Sequence, residues 1–127
     1  MNSASPITCV YLLDDDLEFL KPICRLLQEE RFEVKPFLHP AAFLAAIEEE
    51  PCPVAVLDVS MPVMDGLEVQ ASLRRIAPGT RVIFLSGQGD AATREAALGN
   101  GAVAFLNKPC QGAELIEAIR RAMDGAA

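Results

Sequence analysis

Three aspartates in succession, Asp14-Asp15-Asp16, close one apolar run of this chain, and Asp58 closes another. Ser86 ends a further run, and the last one leads into Lys108-Pro109. Clustered carboxylates repel one another, and a hard divalent cation relieves that repulsion. An oxygen-only ligand set with spare water positions suits Mg²⁺. Lys108 adds a second positive charge facing the same carboxylate. Two cationic elements around one aspartate fit an anion with tetrahedral oxygens attached to Asp58. Carboxylates are nucleophiles toward phosphorus, and metal and lysine would neutralise charge on a transferring phosphoryl group.

For these residues to meet, the runs that carry them must lie side by side. Ile7–Leu13 is short and nearly all apolar, which predicts a strand covered on both faces. Phe32–Phe37, Pro53–Leu57, Arg81–Leu85 and Val103–Leu106 read as four more strands. Pro36 cannot donate to a ladder and places the second strand at a sheet edge. Between them, helical spacing predicts helices over Leu17–Glu30, Pro40–Glu50, Asp65–Ile76, Asp90–Leu98 and Gln111–Met123. The first carries a stripe of Leu17, Leu20, Cys24 and Leu27, the last one of Leu115, Ile116, Ile119 and Met123. Pro22 lies inside the first helix, which is therefore either kinked near Glu18 or regular only from about Lys21. Five alternating strands and helices imply βαβ units, a parallel sheet and helices on both faces. In such a sheet ligands bind beyond the carboxyl ends of the strands, where the four aspartates, Ser86 and Lys108 all fall.

Each of these residues also has a plainer role. Asp16 suits the N-cap of the first helix better than a ligand position. Ser86-Gly87 and Asp65-Gly66 are ordinary turn pairs. His39, before Pro40, is read as an N-cap or surface residue. Singly the signals are weak, whereas the ordered set on four strand ends is strong. With 127 residues and 51% hydrophobic content the chain holds one core, expected as a single domain over 1–127 with its structured part over 7–123. The net charge of −7 argues against direct nucleic-acid binding. No apolar run reaches the roughly 18 to 20 residues needed to cross a bilayer, and the N-terminus lacks signal-peptide regions, so a cytoplasmic protein is expected. Cys9, Cys24, Cys52 and Cys110 lack metal or redox spacing and are expected to be reduced.

The motifs VYLLDDD (Val10–Asp16), VLDVSMPVMDGLE (Val56–Glu68), VIFLSGQGD (Val82–Asp90) and GAVAFLNKP (Gly101–Pro109) strongly resemble the receiver domain of two-component response regulators. The resemblance runs from about Ile7 to Met123. The last two motifs look most like the nitrogen-fixation type of regulator, which commonly carries a helix-turn-helix output domain; no such domain is expected within these 127 residues. The resemblance implies a doubly wound, flavodoxin-like α/β fold with strand order 2-1-3-4-5. It implies Asp58 as phosphoacceptor from a sensor histidine kinase or a small donor such as acetyl phosphate. Mg²⁺ would be held by Asp15 and Asp58, by the Ser60 backbone carbonyl, and by Asp14 through water. Lys108 would pair with phosphoryl oxygens, helped by backbone amides near Val59, Ser60 and Gly87. Ser86 would bond the phosphoryl group and Phe105 would turn inward, reshaping the face of the fourth helix, fifth strand and fifth helix toward an output domain or partner. A homodimer on phosphorylation, a transcriptional output and a cis Lys108-Pro109 bond are implied in the same way. Cys110 departs from the Phe that usually follows Lys-Pro, and Ser60 and Gln88 occupy positions that tune water access.

Two other readings share the topology. A Mg²⁺-dependent phosphohydrolase would need an acid two residues after Asp58, where Ser60 stands. A flavodoxin-like electron carrier would need a phosphate-cradling loop after the first strand, where three aspartates stand instead. The chain is thus expected to act as a switch rather than an enzyme, and as part of a longer protein.

Overall fold

The strand ends converge because the five apolar runs form one parallel sheet in the order β2-β1-β3-β4-β5. The strands are β1 (Cys9–Leu13), β2 (Glu33–Phe37), β3 (Val54–Leu57), β4 (Arg81–Ser86) and β5 (Ala104–Asn107) in a computed structural model that describes residues 8–87 and 90–124. The helices between and after them are α1 (Leu17–Glu29), α2 (Pro40–Glu49), α3 (Gly66–Ile76), α4 (Ala91–Gly99) and α5 (Gly112–Met123). This is the flavodoxin-like arrangement that the sequence motifs imply. Ile7, expected in the first strand, lies outside the described residues.

Alternation along the strands builds two cores. Tyr11, Leu13, Ala55, Leu57, Val82, Phe84 and Phe105 face α2, α3 and α4, where Phe43, Ile47, Val69, Leu73 and Ala97 cover them. Val10, Leu12, Val54, Val56, Ile83 and Leu85 face α1 and α5, against Leu20, Leu27, Leu115, Ile119 and Ala122. With both faces buried, the strands need apolar residues at successive positions, which is why they read as continuous runs. β2 is at the edge, where the missing N–H of Pro36, opposite Leu12, is tolerated.

Helix starts follow from their caps. The Asp16 carboxylate accepts from the N–H groups of Glu18 and Phe19 at 3.0 and 3.3 Å. Asp65 and Glu68 form a reciprocal capping box, and Asp90 accepts from Thr93 N–H at 2.7 Å. Asp65 and Asp90 therefore precede their helices rather than open them. α1 runs unbroken from Leu17 with Pro22 inside it; only the bond that Pro22 would have donated to Glu18 is forgone. Its buried side is centred on Leu20 and Leu27, with Phe19, Ile23 and Cys24 partly covered, while Leu17 at the first helical position is 47% exposed. In α5, likewise, Ala118 and Ala122 join Leu115 and Ile119 in the core, and Met123 is exposed.

Among the described residues no helix is long and apolar enough to cross a membrane. The four cysteines are free, and burial pushes the Cys9 and Cys52 thiols up to about 11 and 12, which leaves them inert as nucleophiles.

One glycine ties the fold to the strand ends. A Cβ on Gly66 would run into the carbonyl oxygen of Asp58, and would lie 2.8 Å from Phe84 Cε1 and 2.9 Å from Val59 Cα. The backbone of α3 thus approaches the end of β3 more closely than any side chain permits, and Gly66 N–H donates to Val59 O at 2.8 Å. Gly66→Ala should destabilise the protein by roughly 1–3 kcal/mol through overpacking. The check is the urea midpoint at constant slope; an unchanged midpoint would show that the β3–α3 turn yields freely.

Candidate functional site

Parallel pairing of Leu13 with Leu57 makes Asp14 and Asp58 the next residues on adjacent strands. The ladder continues past them, since Asp14 N–H donates to Phe37 O at 3.1 Å and Asp58 N–H to Leu13 O at 3.0 Å. Both are buried, at 3% and 6% exposure. On the other side, Ser86 pairs with Asn107, and Lys108 N–H donates to Ser86 O at 3.0 Å. The Lys108-Pro109 bond is cis, as the sequence motif implies. From there the Lys108 ammonium reaches Asp14 Oδ2 at 2.6 Å and lies 3.9 Å from Asp58 Oδ1. It also lies 4.1 Å from the centroid of the Phe19 ring.

The three aspartates in a row do different things. Asp14 is turned inward, and its Oδ1 accepts from Asp16 N–H at 2.9 Å. Asp16 caps α1, as its type and position predict. Asp15 is exposed at the rim. Carboxylate oxygens of Asp14, Asp15 and Asp58 all lie within 4.8 Å of one another. One lysine is too little charge for three such groups, and an oxygen-only cluster with one exposed member leaves room for water ligands. The donor set therefore fits a hard divalent cation.

Electrostatics single out Asp58. Burial, and then the neighbouring charge of Asp14, push its carboxyl up to about 6; Lys108 and the Ser60 backbone N–H pull the other way. A raised pKa in a pocket of convergent charged groups marks a functional site.

Ser86 is fully buried at the end of β4. It is a strand residue rather than the first residue after the strand. Phe105 is 5% exposed, with its ring centroid 5.8 Å from that of Phe84. Arg94 of α4 donates from Nη1 to Phe105 O at 3.0 Å, and its guanidinium carbon lies 5.8 Å from the Phe105 ring centroid. Ser60 and Gly87 are exposed beside the pocket, and Gln88 lies outside the described residues. His39 occupies the N-cap position of α2 without a side-chain hydrogen bond. Cys110 is half-buried against the α1–α5 core. Phe19 and Arg94 were not singled out from sequence. Phe19 stands three residues after the capping Asp16, a spacing that points it back toward the cap, but an aromatic residue in a helix reads first as core.

Against known proteins, the response regulator receiver domain family matches residues 10–120. The response regulator TodT of Pseudomonas putida is 37% identical over 114 residues, which cover 90% of this chain and 50% of TodT. The C4-dicarboxylate transport transcriptional regulatory protein DctD of Rhizobium meliloti is 31% identical over 120 residues, covering 94% of this chain and 26% of DctD. The chain thus spans about half the length of TodT. A CheY-like receiver domain from Methanospirillum hungatei superposes with a TM-score of 0.90 at 28% identity, over 94% of this chain and 96% of its own.

The position of the Asp58 carboxyl fixes a pH dependence for the metal-free protein. Its folded pKa of about 6 lies above the ordinary 3.8, so the fold favours the protonated form. That favourable contribution is complete below the unfolded value and is lost as pH rises through about 6. At neutral pH the charged carboxylate costs up to about 3 kcal/mol at about 1.4 kcal/mol per unit. Asp58→Asn should therefore raise the Tm of the metal-free protein at neutral pH, with the gain vanishing below the ordinary carboxylate range. Equal Tm values across the titration would mean that the carboxylate is already compensated without a metal.

Proposed function

The chain belongs to the response regulator receiver domain family, and we propose that it is a phosphorylation switch in which Asp58 is the phosphoacceptor. The observation that carries this reading is the buried pair Asp14–Asp58 with Lys108 between 2.6 and 3.9 Å from them. One Asp58 oxygen would form the bond to phosphorus as the bond from phosphorus to the donor, a kinase phosphohistidine or acetyl phosphate, breaks. The donor leaves with the electron pair: the kinase imidazole takes up a proton at the freed nitrogen, whereas acetate departs as the anion. With its pKa held near 6, Asp58 is ionised at neutral pH yet more basic than an ordinary aspartate.

Asp14, Asp15, Asp58 and the Ser60 backbone carbonyl would hold Mg²⁺, which supplies neutralisation of charge on the transferring group. Lys108 stands close enough to exchange Asp14 for a phosphoryl oxygen by rotation of its side chain. The Ser86 hydroxyl, at the neighbouring strand end, would accept the role of hydrogen-bond donor to the phosphoryl group. Drawing Ser86 and its loop inward would press on Phe105, whose ring is already packed on Phe84 and faced by the Arg94 guanidinium, and whose carbonyl accepts from Arg94 of α4. The face formed by α4, β5 and α5 would thereby change and be read by an output domain or partner, or by a second phosphorylated copy. A transcriptional output is the reading favoured by the similarity to DctD, itself named as a transcriptional regulator, and a cytoplasmic location is part of the same proposal.

A phosphohydrolase remains disfavoured, because exposed Ser60 offers no acid for a leaving group. The test is intact mass after incubation with acetyl phosphate and Mg²⁺. Wild type should gain one phosphoryl adduct that requires the metal, and Asp58→Ala should gain none. No adduct on wild type, even with rapid hydrolysis trapped, would overturn the phosphoacceptor assignment; continuous turnover of a phosphate ester would favour the hydrolase.

A further inference from the structure

We propose that Phe19 is a positioning residue for Lys108, its ring face holding the ammonium at the height where the phosphoryl group must form. The inference rests on the phosphoacceptor reading and deepens it. Lysine carries a point charge on a flexible stem, and ordering it costs side-chain entropy. In this pocket the ammonium is bounded by Asp14 Oδ2 at 2.6 Å, Asp58 Oδ1 at 3.9 Å and the Phe19 ring centroid at 4.1 Å. The Lys108 side chain keeps 20% exposure, so the ring attraction acts in a partly desolvated setting, where it is stronger than at an open surface.

The two kinds of partner behave differently once a phosphoryl group is present. Asp14 and Asp58 are wanted by the cation, and Lys108 must release Asp14 to serve the phosphoryl oxygens. The ring makes no hydrogen bond that has to be broken and is no ligand for a metal. Its attraction does not depend on which oxygen the ammonium bonds, and so can keep Lys108 in the pocket while it changes partner. The ring is itself held in place. Asp14 Oδ1 accepts from Asp16 N–H at 2.9 Å, Asp16 Oδ1 accepts from Phe19 N–H at 3.3 Å, and the Phe19 side chain packs against the α1–α5 core. The residue that pairs with Lys108 and the residue that stacks on it are thus set by one short chain of hydrogen bonds at the start of α1.

Two measurements test this, with Tm recorded for each variant. In the metal-free protein, NMR should show the Lys108 ε-methylene protons shifted upfield by the ring; Phe19→Leu should abolish the shift and Phe19→Tyr preserve it. With saturating Mg²⁺ and acetyl phosphate, Phe19→Leu should form the adduct about three- to tenfold more slowly, the size of a partly desolvated cation–π contact. Phe19→Tyr should restore the rate. In a Lys108→Ala background, Phe19→Leu should cause no further slowing. Unshifted Lys108 protons in wild type, or equal slowing by Phe19→Leu with and without Lys108, would overturn the positioning role while leaving Asp58 as acceptor. Absence of any adduct on wild type would instead bring down the parent reading and this one with it.

Discussion

Two buried carboxylates are held side by side because the register between β1 and β3 allows nothing else. Leu13 opposite Leu57 fixes Asp14 beside Asp58, and a slip of one residue would exchange one strand's two buried sets between the cores on either face. The placement of like charges is therefore enforced by the hydrophobic cores on both sides of the sheet. The energy that keeps the carboxylates together is spread over both cores, through residues such as Val10, Tyr11, Ile47 and Val54, and does not come from the carboxylates' own contacts. That separation lets the site be electrostatically strained while the fold as a whole is not.

The same register logic brings the compensating charge. Ser86 opposite Asn107 delivers Lys108 to the far side of the pocket, and its ammonium neutralises one of the three carboxylates. Around this centre the packing is close enough to transmit displacement. Gly66 lets α3 touch the carbonyl of Asp58; Phe84 lies beside Gly66 and against Phe105; Arg94 clamps Phe105 from α4. A change at Asp58 thus has contiguous, well-packed neighbours leading to α4, which is mostly exposed. These are the contacts through which coupling between the pocket and α4 would run.

Much of this was legible in the sequence, for identifiable reasons. Strands buried on both faces write themselves as apolar runs, and acids directly after such runs are out of place unless they do something, so Asp14, Asp15 and Asp58 stood out before any coordinates. Pro36 announced an edge strand by the donor that it lacks. Helix boundaries were less secure where one residue type serves two roles: Asp65 and Asp90 could open a helix or cap it, and only backbone geometry separates the two. Of the two readings that Pro22 allowed, a helix regular only from about Lys21 is excluded by the helical run from Leu17; one lost hydrogen bond, set against a helix packed along its length, is a small penalty. Phe19 and Arg94 were missed because their part depends on three-dimensional neighbours. A phenylalanine in a helix and an arginine on an exposed one carry no spacing signal for a lysine or a ring contributed from a distant strand.

Charge explains why this pocket would respond to a phosphoryl group and not merely accept one. Asp14, Asp15, Asp58 and Lys108 together carry a formal charge of minus two, which one divalent cation cancels. Phosphorylation of Asp58 would replace a monoanion with a group of about −1.5 to −2 charge, leaving the pocket negative again by about half a unit to one unit. No further cation stands within the described pocket beyond Lys108. The remaining imbalance would have to be met by neutral donors at the strand ends; the Ser60 N–H already acts on Asp58, and further hydroxyl and backbone N–H groups could be added by moving the segments that carry them. Ser86, at the end of β4 and bonded through its carbonyl to Lys108 N–H, is the hydroxyl best placed to be drawn in. A switch built this way would not need a large force. It would need a pocket whose charge is balanced in one state and short of donors in the other.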